Sequence, residues 1–104
     1  MVKLTVLYNL PDDADHEAIL KWRTGEHQQA NASMPYVIKT DFYRARKTAL
    51  GEPRYRYITE AYFQTMEDLE ASFFSPDAQA KLQEDIKRLK DPVFLVSEEL
   101  ASSH

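Results

Sequence analysis

Residues 36–64 read YVIKTDFYRARKTALGEPRYRYITEAYFQ, and the fold turns on how this stretch divides. Two runs rich in aromatic and β-branched residues, Tyr36 to Lys47 and Arg54 to Gln64, flank TALGEP, whose Gly51 and Pro53 suit a loose turn. This is the pattern of an antiparallel hairpin. Upstream of it, residues from His16 to about Ser33 recur with helical period until Met34-Pro35 stops them, and Asp13 or Asp15 in LPDDAD is placed to cap the start. Val2 to Asn9, VKLTVLYN, is β-branched and apolar on both faces, as a covered central strand should be. Downstream, TMEDLEASFF at Thr65 to Phe74 opens with a capping threonine and first-turn acids. Ser75-Pro76-Asp77 breaks that helix and starts another, running to about Lys90. Asp91-Pro92 ends it, and PVFLVSEEL is a last strand.

The order is β-α-β-β-α-β, the second helix broken in two. It predicts an α+β, ferredoxin-like fold, a four-stranded antiparallel sheet with its helices on one face. Residues 1–104 form one domain in this reading. Strands one and three carry apolar residues in both registers, so the uncovered face also calls for burial, and a second copy of the chain supplies it most simply. A homodimer is expected.

Composition bounds the function. With 43% hydrophobic and 29% charged residues the chain is a folding one, and no apolar run approaches the ~20 residues of a membrane span. The N-terminus has no signal-peptide pattern, so a cytoplasmic location is expected. There is no cysteine, which removes thiolate chemistry and cysteine-type metal sites. A net charge of −4 argues against nucleic acid or anionic membranes as partners. The basic, tyrosine-bearing hairpin lacks the glycines of an RNA-recognition motif. No phosphate loop, nucleophile elbow or dinucleotide fingerprint occurs, and a small-molecule partner without a cofactor is the expectation.

On a continuous helix, His16, Ile19, Leu20, Arg23, His27, Ala30 and Met34 share one stripe, while Lys21, Trp22, Gln28 and Gln29 point elsewhere. Arg23 and His27 are i and i+4 neighbours on the face that should meet the sheet. Two readings are open. In one they line a pocket, His27 as general acid or base and Arg23 as stabiliser of a substrate oxyanion. In the other Arg23 snorkels to water and His27 makes one satisfying hydrogen bond. His16 lies roughly 16 Å from His27 along a helix, so the two cannot share a metal ion, and no metal site is indicated. His104 reads as tail. Gly25 allows a kink or a close backbone approach beside the pocket. Asp85 stands at the edge of the Ala78, Leu82, Ile86, Leu89 stripe, either as a second pocket acid or as a solvated edge residue.

MVKLTVLYNLP, GEHQQANASMP, ITEAYF and MEDLEASFFSPDAQA together resemble the EthD-like family of the dimeric α+β barrel superfamily, from Val2 to about Leu100. The resemblance implies two sheets closed into a barrel across a dimer, with a ligand cavity between each sheet and its helices. Members of the superfamily include polyketide cyclases, muconolactone isomerases, cofactor-free monooxygenases and haem-degrading enzymes. Relatives of the plant cyclase and haem-degrading types carry a histidine just after the break in the second helix. Here SPDAQA has none.

The resemblance also implies that Thr5, Leu7, Asn9, Thr59, Ala61 and Phe63 face the helices, with Phe73 and Phe74 beside them as substrate-binding residues. Asn9 then either meets a substrate oxygen or satisfies turn backbone. Tyr8, Glu60, Tyr62 and Glu98 face the dimer side. The superfamily's fold does not choose among its activities; with His27 moving a proton and Arg23 with Asn9 holding the oxyanion, the expected activity is cofactor-independent acid–base chemistry of isomerase, cyclase, lyase or oxygenase type on a cyclic or aromatic oxygenated metabolite. The alternative is a non-catalytic binding protein accessory to an oxygenase or catabolic pathway.

Overall fold

The computed structural model describes residues 1–103; His104, expected to be tail, lies outside them. The elements run β1 (Val2–Asn9), α1 (His16–Thr24), α2 (Glu26–Ala32), β2 (Lys39–Arg44), β3 (Tyr57–Phe63), α3 (Met66–Phe73), α4 (Pro76–Ile86) and β4 (Lys90–Glu98). The strands form one antiparallel sheet in the order β2-β3-β1-β4, which is the ferredoxin-like arrangement.

Local chemistry explains most boundaries. Asp15 caps α1 by accepting the Ala18 N–H at 3.0 Å, Thr65 caps α3 through Asp68 N–H at 3.1 Å, and Ser75 caps α4 through Ala78 N–H at 3.2 Å. Pro76 occupies the first turn of α4, where its missing N–H costs nothing. The strand β2 starts at Lys39 rather than Tyr36, because Tyr36 takes a left-handed φ of 67° in the turn after Pro35. The helix α4 stops at Ile86, short of Lys90; the N–H groups of Lys87, Arg88 and Leu89 each bond three residues back, closing it with tight turns. Asp91 and Pro92 lie inside β4 instead of preceding it, which an edge strand tolerates.

The first helical segment is two helices. At Gly25 the backbone breaks (φ −103°, ψ −105°), and the chain resumes as α2 one residue later. The Gly25 N–H still bonds to Lys21 O at 3.0 Å, and a Cβ on Gly25 would lie 3.1 Å from that same oxygen.

Register fixes the two sheet faces. Val2 lies opposite Phe63, Leu4 opposite Ala61, Val6 opposite Thr59 and Tyr8 opposite Tyr57. Paired residues share a face, so the even residues of β1 go with the odd residues of β3. The helix-facing core is built from Val2, Phe63, Leu69 and Phe73, continuing into Val6, Tyr8, Leu10 and Tyr57.

Thr5 and Leu7, opposite Glu60 and Ile58, therefore point away from the helices, contrary to expectation. Tyr8 moves the other way, into the helix-facing layer, and Glu98 follows its partner Val2 rather than Glu60. The outer face carries Leu7, Ile58 and Leu95 around a Lys3–Glu60 ion pair of 2.6 Å, to which Thr5 Oγ1 donates at 3.5 Å. Among the described residues no helix is long and apolar enough to cross a membrane.

Candidate functional site

Between the sheet and the helices lies a cavity of about 410 Å³. Leu4, Val6, Tyr8, Thr59, Ala61 and Phe63 form its floor. Trp22, Arg23, His27 and Asn31 stand on one side, and Ser72, Phe73, Lys81, Leu82 and Asp85 on the other.

Arg23 does not reach water: it is 3% exposed. Its Nη1 donates to Gln28 Oε1 and its Nη2 to Thr59 Oγ1 at 3.1 Å. Gln28 in turn donates through Nε2 to the Thr40 carbonyl at 3.0 Å, tying α2 to β2. The guanidinium lies over the Phe42 ring, 4.4 Å from its centroid. It forms no ion pair with any described Asp or Glu. Burial accordingly lowers its pKa, opposed by the neighbouring Tyr8.

The Tyr8 hydroxyl lies 3.4 Å from Thr59 Oγ1. Arg23, Thr59 and Tyr8 thus form a continuous polar strip on an otherwise apolar floor. Burial raises the Tyr8 pKa, while the Thr59 hydrogen bond and the Arg23 charge pull it down.

The His27 ring stacks on Trp22, centroids 4.1 Å apart at 24°, and Arg88 lies 4.4 Å from the Trp22 centroid. His27 makes no hydrogen bond to a described residue. Its pKa is lowered to about 4, first by burial and then by Arg23, Lys81 and Arg88. The imidazole is therefore neutral at physiological pH. Asp85, across the cavity, is raised by burial against the opposing charges of Lys81 and Arg88.

The break at Gly25 makes this geometry possible. Trp22 to His27 and Arg23 to Gln28 are both spacings of five residues, which a continuous helix would set about 140° apart around its axis. Both pairs are in contact. That is why Trp22 and Gln28, expected to point elsewhere, belong to the site. The glycine inside the helical run was the available signal for them.

Of the residues singled out from sequence, Arg23, His27, Thr59, Ala61, Phe63 and Phe73 line the cavity. Thr5 and Leu7 are on the opposite face. Asn9 is drawn outward to the hairpin: its Nδ2 donates to Arg54 O at 3.0 Å and its Oδ1 accepts from Arg56 N at 2.9 Å. Phe74 is 55% exposed and meets Phe73 edge-on at 5.1 Å without lining the cavity. Asp85 does line it, so the solvated-edge reading fails. Leu4, Val6 and Tyr8 were missed through the strand phase, and Ser72 and Lys81 carried no signal beyond helical spacing. Among the described residues no three His, Asp or Glu side chains gather as a metal site would require.

Comparison with known proteins bears on fold and family. No curated protein matches the sequence. An EthD family protein from Bacillus halodurans superposes with a TM-score of 0.78 at 22% identity, over 96% of this chain and 99% of that one. A hydroxynitrile lyase from Passiflora edulis superposes at 0.75 with 15% identity, over 98% and 96%. A dimeric ferredoxin-like protein of unknown function from Thermobifida fusca gives 0.69 at 17% identity, over 94% and 90%. The same architecture thus occurs in a lyase and in a dimer. The EthD domain model matches residues 12–92, most of the sequence, and the chain belongs to the EthD family, within the dimeric α+β barrel class.

Proposed function

We propose that this protein is a cofactor-independent acid–base enzyme acting on a cyclic or aromatic oxygenated metabolite in the cavity between sheet and helices. One observation carries the reading: a neutral histidine without a hydrogen-bond partner among the described residues opens on an apolar cavity beside a buried guanidinium paired with no described carboxylate. His27 accepts a proton from a carbon beside a carbonyl, and the electron pair left behind moves onto the carbonyl oxygen. Arg23, with the Thr59 and Tyr8 hydroxyls, holds that oxyanion.

The surroundings set the basicity of the ring. Burial first, and then Arg23, Lys81 and Arg88, keep His27 unprotonated in the chain alone, so its lone pair is available. Negative charge on the bound substrate offsets those cations and raises the basicity of the ring. Isomerisation, cyclisation, lyase chemistry and reaction of a carbanion with oxygen all share this first step. That a hydroxynitrile lyase has the same fold supports a catalytic reading. We place the chain in a homodimer, as in its dimeric neighbours, with the outer sheet face covered.

The test is turnover on a substrate identified from a panel of cyclic and aromatic ketones and phenols. His27→Ala should lower kcat by ~10²-fold or more; unchanged turnover removes the mechanism. A second reading, ligand carriage without chemistry, is favoured by the His27 pKa of about 4, which makes the unliganded ring a weak base. It predicts binding without turnover, with affinity set by Phe63 and Phe73 rather than His27.

A further inference from the structure

The charges around the cavity are unevenly matched. On α4, Lys81 stands between Asp77 and Asp85, four residues away on either side, so that wall carries its own counter-charges. Arg23 has none. Its guanidinium is buried at 3% exposure, and the two acceptors it engages, Gln28 Oε1 and Thr59 Oγ1, are neutral. A charge withdrawn from water without an opposite charge is costly to hold, and the aromatic face of Phe42 offsets that only in part. These two hydrogen bonds, with the neutral Tyr8 hydroxyl as a further neighbour, leave part of its five-donor fork unused. The Tyr8 and Thr59 hydroxyls complete a cluster of donors at one spot, with Leu4, Val6 and Ala61 beside it.

We propose that the missing counter-charge is brought by the ligand: the cavity takes an apolar, ring-sized molecule that binds already carrying one anionic oxygen, as a carboxylate or a phenolate, and seats it on Arg23, Thr59 and Tyr8. This rests on the proposed use of the cavity as a ligand site and deepens it by fixing the charge of the substrate on entry. An arginine is suited to the task, because its rigid fork matches a planar oxyanion and it stays charged when buried.

Isothermal titration of the intact protein at neutral pH with biphenyl-4-carboxylate and its neutral isostere biphenyl-4-carboxamide tests the proposal, with Trp22 emission as a second readout. The carboxylate should bind at least ~10-fold more tightly, as a charge-assisted contact requires. A third arm uses 4-nitrophenol on either side of its own titration: binding of the phenolate alone, or of the carboxylate alone, identifies which oxyanion the site prefers, and either supports the proposal. Arg23→Gln, with its fold checked by circular dichroism, should abolish the preference and leave the amide affinity within ~3-fold. Should that variant not fold, the wild-type comparison decides alone.

Equal binding of carboxylate and amide together with no preference for the phenolate over the phenol overturns the proposal, as does failure of both anions to bind at millimolar concentration. So does a preference retained in Arg23→Gln and lost in Lys81→Gln. His27→Ala should keep the anion preference, so its effect on turnover judges the catalytic reading separately.

Discussion

His27 and Trp22, five residues apart across a broken helix, lie ring on ring at 4.1 Å. The contact holds the imidazole in a half-buried setting where burial and three cations lower its pKa to about 4, well below the usual 6.5. The folded state therefore resists protonation more than the unfolded chain does. Above about 6.5 the ring is neutral in both states and contributes no pH dependence. Between about 6.5 and about 4 the unfolded state takes up the proton first, so stability falls with pH through that window. The loss assignable to His27 is on the order of 1–2 kcal/mol after allowing for the ring's partial exposure. Thermal melts of wild type and His27→Gln across this range should diverge below about 6.5, with wild type losing more. Parallel pH profiles would contradict the burial of this ring.

Gly25 is the second point of control. Alanine there favours a continuous helix by up to ~1 kcal/mol, but its Cβ would press on Lys21 O at 3.1 Å, and helical continuity would part both five-residue contacts. The second effect wins because Arg23 would lose Gln28 while remaining buried. Gly25→Ala should lower stability by ~1–2 kcal/mol and shift Trp22, the sole tryptophan, to a more water-exposed emission.

How much of this was legible in the sequence differs from residue to residue. The element order could be read because each cap and break is local: Thr65, Ser75-Pro76 and Pro35 act within a turn of their positions. The strand faces could not. Both parities of β1 are apolar, so the choice between Leu4, Val6, Tyr8 and Thr5, Leu7, Asn9 depends on register against β3, which is a long-range quantity. Tyr8 was displaced from the site for this reason. Arg23 and His27 were found because polar groups in an apolar stripe need a partner, whereas Trp22 and Gln28 needed the phase change at Gly25, whose presence the sequence signals but whose angle it does not.

Asn9 separates a structural role from a binding one. Its amide clamps the Arg54 carbonyl and the Arg56 N–H, fixing where β3 begins. Asn9→Ala should cost ~1–2 kcal/mol through loss of two hydrogen bonds in a part-exposed turn, read from denaturant midpoints, while ligand affinity stays within ~2-fold. A large loss of affinity at unchanged stability would return Asn9 to the cavity.

The outer sheet face gives a prediction about assembly. Leu95, half exposed in the single chain, shares this face with Leu7 and Ile58 around the Lys3–Glu60 pair. A guanidinium placed among them would lose its hydration on association without gaining a partner. Leu95→Arg should convert the proposed dimer to monomer in light scattering while the far-ultraviolet spectrum stays that of the folded chain. A wild type that is monomeric at every concentration would refute the covered-face argument.

Ser72 joins stability to the cavity. It is 2% exposed, lines the cavity on α3, and its Oγ is the one buried side-chain polar atom among the described residues without a hydrogen-bond partner. An unpaired buried hydroxyl costs about 1–3 kcal/mol relative to a satisfied one, and alanine is also the better helix former by a few tenths of a kcal/mol. The volume removed is a single oxygen, so the cavity penalty is small beside those terms. Ser72→Ala should therefore stabilise the unliganded protein by ~1 kcal/mol, visible as a raised denaturation midpoint at unchanged m-value. If the hydroxyl serves a ligand, the same variant should bind that ligand more weakly, so that stability and affinity move in opposite directions. A Ser72→Ala protein less stable than wild type would mean that the hydroxyl has a partner in solution, and the polar end of the cavity would then stop at Arg23 and Tyr8.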